Sequence, residues 1–100
     1  MPTTSPPPTG KMELPETTIS DLHTRLRRIE GQVRGLQQML TEERDCREVV
    51  TQIAAANKAL EQVGFILVSA GLTWCLSDPE RSAEAGYDVS DVQKMFLKLA

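Results

Sequence analysis

Cys46 and Cys75 are the side chains most able to do chemistry in this 100-residue chain. They lie 29 residues apart in a proline-free stretch, Arg44 to Leu76, in which apolar or small residues recur in steps of mostly three and four. That period predicts an α-helix. At about 1.5 Å per residue the two thiols are about 43 Å apart, whereas bridged cysteines need Cα atoms within about 7 Å. One chain therefore cannot join them by a disulfide or a shared metal ion.

The helical period also predicts that both thiols lie on one side of this helix, since 29 residues make eight turns plus only about 20°. A helix of roughly 50 Å is too long for a domain with a radius of gyration of about 13 Å to cover. We expect it to pack against a second copy of itself. If the pair is antiparallel with its two-fold axis near Leu60 and Glu61, Cys46 of one chain lies opposite Cys75 of the other. Two unrelated, inert cysteines that pack as small apolar residues explain the spacing equally well.

Two thiols support two kinds of chemistry. They bind a soft metal ion such as Cu(I), or they undergo oxidation and form disulfides or polysulfides. Arg44, Arg47 and the helix N-terminus favour the thiolate of Cys46, although Asp45 and Glu48 oppose it. The helix C-terminus disfavours the thiolate of Cys75, so we expect Cys46 to attack and Cys75 to resolve. His23, the only histidine, has no acidic or thiol partner one turn away. No catalytic triad, phosphate-binding loop or carboxylate pair is recognisable, so we expect no enzyme.

The composition suits one small helical domain. With only four aromatic residues, the core must consist of Leu, Ile, Val, Met and Ala, a mixture typical of packed helices. The net charge of −3 argues against nucleic-acid binding, but residues 21–34 hold four arginines against two acidic residues. The apolar segment Phe65 to Ala70 is short for a membrane span, and the N-terminus lacks the pattern of a signal peptide. We therefore expect a cytoplasmic protein that does not contact a membrane.

The chain divides into an arm and a helical domain. Residues 1–17 hold five of the six prolines, so we expect a disordered arm. Residues 18–100 form the domain, whose first helix has Ser20 as its N-cap. That helix should lie antiparallel against the second, joined by a turn around Thr41 to Arg44. Its predicted seam consists of Leu22, Leu26, Ile29, Val33, Leu36 and Leu40.

The second helix should end near Ser77 and Asp78, because Pro79 cannot continue it. For residues 80–86 the sequence predicts either a short helical turn or a loop. A last helix, capped by Asp88 or Ser90, carries apolar residues on one face. The predicted fold is therefore all-α, a three-helix protomer with a long second helix.

Three segments resemble the CsoR/RcnR family of bacterial transcriptional repressors: RLRRIEGQVRGLQQML at 25–40, DCREVVTQIAA at 45–55 and FLKLA at 96–100. The resemblance covers about residues 20–100. It implies an antiparallel dimer built on the second helix and a homotetramer formed as a dimer of dimers. It also implies binding to operator DNA that ends when an effector reacts at an intersubunit thiol site. Cys46 and Cys75 match the effector cysteines of that site.

Gly71 is where this chain departs from the copper sensors that it resembles. Those proteins carry a histidine ligand four residues before the second cysteine, and Gly71 offers none. Two cysteines without that histidine are similar to the CstR-type, persulfide-sensing branch. There, low-molecular-weight persulfides or polysulfides link the two cysteines across subunits by disulfide, trisulfide or longer bridges. The resemblance thus implies no bound cofactor, and the alternative is a Cu(I)-sensing repressor with Cys46 and Cys75 as thiolate ligands.

The resemblance implies a set of DNA contacts on the first two helices. Arg25 matches a family arginine important for operator binding, and Arg28 and Arg34 lie in the matching stretch. A second family arginine aligns with Gln62, and Lys58 lies one turn before it and replaces the charge. We expect these side chains to contact phosphates and to make binding depend strongly on salt. A helical interaction module with inert buried cysteines is the alternative of another class.

Overall fold

Two long helices form an antiparallel hairpin, and two shorter helices follow. The computed structural model describes residues 10–100. Helix α1 spans Glu16–Thr41 and α2 spans Cys46–Ser77, followed by α3 at Pro79–Glu84 and α4 at Val89–Leu99. Residues 10–100 contain no strand, and the predicted all-α fold with a long second helix is confirmed. Residues 10–100 hold four helices and not three. The additional helix is α3, in the segment for which the sequence predicted either a helical turn or a loop.

Helix α1 begins earlier than the sequence predicted. Its first residue is Glu16 and its N-cap is Pro15, whereas Ser20 lies one turn inside the helix. The carbonyl of Ser20 accepts a hydrogen bond from the hydroxyl of Thr24 at 3.1 Å, so the prediction of Ser20 as N-cap was wrong. An acidic residue in the first turn interacts favourably with the positive end of the helix dipole. Part of the segment predicted as an arm thus belongs to α1, and residues 1–9 of that segment lie outside the described residues.

Aspartates cap the other helices. The carboxylate of Asp45 accepts the backbone N–H of Arg47 at 2.8 Å, so α2 begins at Cys46. Asp78 caps α3 in the same way, and Pro79 occupies its first turn, where its missing N–H costs nothing. Asp88 and Asp91 form a reciprocal capping box at the start of α4. These caps fix where the long helix begins and ends, and therefore where its two cysteines lie.

The hairpin core is a narrow apolar seam. Leu22 and Ile29 of α1 and Val63 of α2 form its buried cluster. Of the residues predicted to share this seam, Leu26 and Val33 are 41% and 44% exposed instead, and Leu40, near the end of α1, is 66% exposed. Leu26 and Val33 are seven residues apart and lie about 30–50° around α1 from the buried stripe, at roughly 100° per residue. The seven-residue pattern thus describes two stripes, of which the protomer covers only one.

Seven of the exposed apolar residues of α1 and α2 share one side of the hairpin. Because the two helices run antiparallel, the helical period places those of α1 and those of α2 on the same side of the plane that contains both helix axes. We call this surface the apolar side. It consists of Ile19, Leu26 and Val33 of α1 and Val50, Ile53, Leu60 and Leu67 of α2.

Helix α2 is long and apolar enough to cross a membrane by length and composition, which the sequence analysis did not anticipate. Only 22% of its most apolar window is buried in the protomer. Four of the exposed apolar residues, Val50, Ile53, Leu60 and Leu67, follow one stripe, however. Helix α2 also carries the exposed charges of Lys58 and Glu61 near its middle. A stripe with charges beside it is typical of a surface that a second protein chain covers, and one such helix is weak support for a membrane span.

Helix α4 packs across the C-terminal half of α2. Val92 is 2% exposed and forms a buried cluster with Val68 and Cys75. The rings of Phe65 and Phe96 lie 5.4 Å apart between centroids. The protomer nevertheless remains elongated, 69 Å in its longest dimension, with a radius of gyration of 18.5 Å. This exceeds the value of about 13 Å for a compact domain of its length, so much of α2 stays uncovered.

Candidate functional site

The two free cysteines lie at opposite ends of α2, as their spacing predicted. Cys46 is the first residue of the helix and is exposed. Cys75, near the helix end, is 4% exposed. The helical period places both on the apolar side, with Leu60 midway between them. Within one protomer the two thiols cannot meet, because a straight helix separates them.

The surroundings of Cys46 differ in one respect from the prediction. The guanidinium of Arg44 pairs with Glu48 at 3.1 Å and with Glu42 at 3.4 Å. The hydrogen bond to Glu48 raises the pKa of Arg44 above its usual value. Arg44 is therefore engaged with carboxylates and does not serve Cys46 alone. Arg47 and the N-terminal end of the helix remain as the sources of positive potential beside this thiol.

The cluster around Cys75 includes a residue that the sequence did not point to. Met12 packs against the buried cluster that contains Cys75, over Gly71. A Cβ atom built on Gly71 would lie 2.7 Å from Cε and 3.0 Å from Sδ of Met12. The thioether thus fills the space that a side chain at position 71 would occupy. Met12 belongs to a proline-rich segment without helical periodicity, so no sequence pattern pointed to it.

Contacts on both sides of Met12 hold this segment in place. The backbone N–H of Gly10 donates to the carbonyl of Ala85 at 3.1 Å, and the hydroxyl of Tyr87 donates to the carbonyl of Gly10 at 2.5 Å. Beyond Met12, the carboxylate of Glu13 pairs with Arg81, which raises the pKa of that guanidinium. Residues 10–13 are therefore attached to α3 and to the connection between α3 and α4.

No conventional metal site exists within residues 10–100 of one protomer. No group of three or more His, Cys, Asp or Glu side chains there is arranged to hold a metal ion. The donors near Cys75 are sulfur atoms, and a second thiolate has to come from another chain. Such a donor set suits a soft ion such as Cu(I) and not Zn(II) or Ni(II), which prefer more nitrogen or thiolate ligands.

The side of the hairpin opposite the apolar side is polar, and we call it the polar side. Arg25 and Arg28 lie on it by the period of α1, and Lys58 and Gln62, one turn apart, lie on it by the period of α2. Grooves lined by both helices mark its two ends. The first groove is half apolar, lined by Thr18, Phe65, Ile66, Ser69, Ala70 and Thr73. The second is mostly polar, lined by Met39, Arg44, Arg47, Glu48, Thr51 and Gln52.

The predicted DNA-binding residues do not all meet on the polar side. Arg34 lies about 130° around α1 from the buried stripe, on the other side of the hairpin. Arg25 is partly engaged, because its Nε donates to the carboxylate of Asp21 at 2.9 Å. Arg28, Lys58 and Gln62 are exposed. One protomer thus brings together four of the five residues, and a surface that includes Arg34 requires further protomers.

The comparisons with known proteins identify the family. The model of the metal-sensitive transcriptional repressor family matches residues 18–98. The chain belongs to this family. The predicted resemblance to CsoR/RcnR repressors is therefore confirmed at the level of the family, whose members are repressors and not enzymes.

Individual members of the metal-sensitive repressor family are similar over most of their length. The copper-sensing transcriptional repressor CsoR of Bacillus subtilis (strain 168) is 35% identical over 74% of this chain and 73% of its own. The copper-sensing repressor RicR of Mycobacterium tuberculosis (strain H37Rv) is 41% identical over 64% of this chain and 67% of its own. The crystal structure of CsoR with Cu(I) from Geobacillus thermodenitrificans NG80-2 has a TM-score of 0.74 at 29% identity, covering 92% of this chain and 95% of that chain.

Proposed function

We propose that this repressor releases its operator DNA when reactive sulfur species link Cys46 of one subunit to Cys75 of another. One observation carries the proposal. Two free thiols lie at the two ends of α2, on the side that bears an uncovered apolar stripe. Gly71, one turn before Cys75, provides no nitrogen ligand at that position.

The apolar stripe of α2 supports an antiparallel dimer. Leu60, midway between the cysteines, is 52% exposed in the protomer, and the exposed Ile53 and Leu67 lie seven residues before and after it. Two copies that cross near Leu60 bury the stripe of each against that of the other. The same crossing brings Cys46 of each chain opposite Cys75 of its partner. The exposed Leu26 and Val33 of α1 leave a second apolar stripe for joining two dimers into a tetramer.

The reaction needs only the two thiols and a persulfide or polysulfide. The thiolate of Cys46 attacks the outer sulfur of a persulfide R–S–SH, which forms Cys46–S–SH and releases R–SH. The thiol of Cys75 then attacks the inner sulfur, which forms the Cys46–Cys75 disulfide and releases hydrogen sulfide. Each cysteine sulfur loses one electron, and the departing sulfane sulfur gains two. If Cys46 carries two added sulfurs, the same step gives a trisulfide and one hydrogen sulfide.

The different exposure of the two thiols supports this order of events. Cys46 is open to a small effector, whereas Cys75 is 4% exposed and belongs to a buried cluster against which Met12 packs. The exposed thiol is the natural first target, and the buried one is the natural resolving thiol. The covalent link would then favour the tetramer geometry that does not bind DNA.

The polar side of the hairpin is the proposed DNA surface. Arg25, Arg28 and Lys58 supply positive charge there, and Gln62 supplies hydrogen bonds. Arginine and lysine contacts of this kind position a protein on the phosphate backbone and release counterions. Arg34 joins this surface only if another protomer of the tetramer presents it. Operator binding separates this function from that of a plain interaction module.

A Cu(I) response is the second candidate. The copper-sensing relatives favour it, and so does the sulfur of Met12 over Gly71. When bound, Cu(I) would draw two thiolates of different chains together without oxidation. Cys46 and Cys75 would hold the ion, and Gly71 provides no imidazole. The two candidates share the same site and differ in the chemistry of the effector.

One experiment separates the candidates. The reduced protein is treated with inorganic polysulfide or with Cu(I), and each sample is analysed by intact-mass spectrometry and by gel shift on the DNA that flanks its own gene. We expect polysulfide to give an interchain Cys46–Cys75 link with added sulfur or a disulfide, and to abolish the shift. Release of DNA by Cu(I), with no reaction toward polysulfide, would overturn the sulfur proposal in favour of the metal.

A further inference from the structure

The contact between Met12 and Gly71 carries an inference about this site. We propose that Met12 supplies a third sulfur ligand, so that soft monovalent cations, Cu(I) and Ag(I), bind through Met12, Cys75 and Cys46 of a second chain. The inference goes beyond the sulfur response. It rests on the proposed pairing of Cys46 and Cys75 across two chains, but it does not require that the site react with persulfides.

The position of the thioether is the first support. Residues 71 and 75 are one helical turn apart, and side chains at this spacing have Cβ atoms about 5–6 Å apart on the same face. Sδ of Met12 lies 3.0 Å from the position that a Cβ on Gly71 would take. The thioether is therefore in the same buried cluster as Cys75, where a ligand side chain at position 71 would have to point.

The chemistry of the donors is the second support. Thioether and thiolate sulfurs are soft ligands that select Cu(I) and discriminate against Ca(II), Mg(II) and other hard ions. A thioether carries no proton in the relevant pH range, so it donates without competing with protons. Two thiolates and one thioether give three sulfur ligands without any histidine. The three donors come from three different segments, and this is why no sequence spacing indicates them.

The attachment of the segment is the third support. Gly10 is hydrogen-bonded to Ala85 and to Tyr87, and Glu13 is paired with Arg81, so Met12 is held from both sides. A ligand that is already in place loses less entropy on binding. The missing side chain of Gly71 leaves room for Met12, because any Cβ at this position would meet the end of the Met12 side chain.

Simple packing is the competing explanation, since methionine fills gaps in apolar cores. Met12→Leu distinguishes the two, because leucine keeps the apolar volume and removes only the sulfur. Met95 packs against the same buried cluster, so Met95→Leu is the matched control. Both variants should fold, and thermal melting followed by circular dichroism checks that they melt alike.

The test is the affinity for Cu(I) of the reduced full chain under anaerobic conditions, measured by competition with bicinchoninate. We expect Met12→Leu to weaken binding about tenfold or more, in the range seen when groups that tune a metal site are lost, and Met95→Leu to leave it unchanged. In protein labelled with ¹³C at the methionine methyl groups, Ag(I) should shift the Met12 resonance and not that of Met95. Equal affinities of wild type and Met12→Leu, with an unshifted Met12 methyl, overturn the proposal.

Two further readouts separate this inference from the sulfur response. Cys46→Ser and Cys75→Ser should each abolish tight Cu(I) binding, and full retention in either variant contradicts the three-sulfur site. Polysulfide should still link the cysteines of Met12→Leu, because that reaction does not use the thioether. If polysulfide links nothing in either protein while Ag(I) still shifts the Met12 methyl, the sulfur proposal fails and the ligand role of Met12 stands.

Discussion

The two sides of the α1–α2 hairpin contrast sharply although the same two helices build both. The apolar side carries the uncovered leucines, isoleucines and valines and the two cysteines. The polar side carries Arg25, Arg28 and Lys58 and no buried thiol. Only the seam of Leu22, Ile29 and Val63 separates them. The side proposed for effector chemistry and the side proposed for DNA contacts are thus about one helix diameter apart, about 10 Å, on opposite surfaces of the same two helices.

This closeness suggests how the two activities communicate. A link between cysteines on the apolar side changes how two long helices cross, and each helix carries its basic residues along on the other side. No chain of intermediate residues is needed, because a helix rotates as a whole. We therefore predict that mutations on the apolar side change assembly and the response to the effector, whereas mutations on the polar side change the affinity for DNA. The effects should also differ in magnitude.

The largest effect should follow Leu60→Glu at the centre of the apolar side. An antiparallel pair that crosses near this residue would bring two carboxylates together in an apolar contact, at a cost of several kcal/mol. We expect a monomeric protein without DNA binding, measured by analytical ultracentrifugation. Gln62→Glu is the matched control for the molar mass alone, since it adds the same charge two residues away on the polar side and should leave the dimer intact. An unchanged molar mass of Leu60→Glu contradicts the assignment of this side to the dimer.

Cys46→Ser should abolish the response to polysulfide and leave DNA binding intact. In Cys75→Ser the reaction should stop one step later, because the resolving thiol is absent. Mass spectrometry should then detect persulfidated Cys46. Gel shifts with and without polysulfide provide the measurement. If Cys46→Ser still releases DNA on treatment, the effector acts somewhere other than these thiols.

Arg28→Ala should weaken DNA binding by roughly tenfold and reduce the slope of log K against log salt by about 1, as for the loss of one phosphate contact. Arg34→Ala, across the hairpin, should have a smaller effect. Fluorescence anisotropy at several salt concentrations measures both. Equal losses of DNA affinity in the two variants would contradict the assignment of the DNA surface to the polar side, because DNA would then contact both sides.

Gly71→Ala should change the effector site slightly and the DNA surface not at all. The new methyl would lie 2.7 Å from Cε of Met12, so the flexible end of that side chain must move. We expect a loss of a few-fold in Cu(I) affinity by chelator competition and an unchanged gel shift. The same competition experiment on Ser69→Ala, a change on the polar side of the same helix, should show no loss.

The smallest effect concerns α4, which covers one end of the apolar side. The backbone N–H of Asp91 donates to the carboxylate of Asp88 and lowers the pKa of Asp88 below its ordinary value of 3.8. Because the folded protein prefers the charged form, this contribution is present above pH 3.8 and is lost as the pH falls through the lower, folded value. Asp88→Ala should therefore lower the melting temperature slightly at pH 6 and flatten its decline in acid. A parallel decline in both proteins would contradict this.

The fold was largely predictable because it depends on periodicity and caps. The period of α2 and the positions of Asp78 and Pro79 fixed its length, and the alignment of Cys46 with Cys75 followed from its geometry alone. The seam of α1 was only half predicted. A heptad pattern does not say which neighbour covers each stripe, and Leu26 and Val33 turned out to be uncovered.

The candidate site was predictable where it lies on helices and not where it involves the N-terminal segment. Met12 precedes α1 in a segment whose order depends on contacts with Ala85, Tyr87 and Arg81, more than 65 residues away. Contacts over such distances leave no local signal in the sequence. The helical period alone predicts that Arg28 and Arg34 lie on different faces of α1. To assign each face to a side of the hairpin, one also has to know which stripe of α1 packs against α2.

The burial of Cys75 has a consequence for timing. If the second thiol reacts only when the segment around Met12 opens, that step proceeds at a rate set by the protein, whatever the concentration of effector. A brief pulse of polysulfide would then mark Cys46 and be erased by reductants, while sustained exposure would complete the bridge. Quenched-flow mass spectrometry should show a second step that does not accelerate with polysulfide. Such a repressor measures the duration of sulfur stress as well as its intensity.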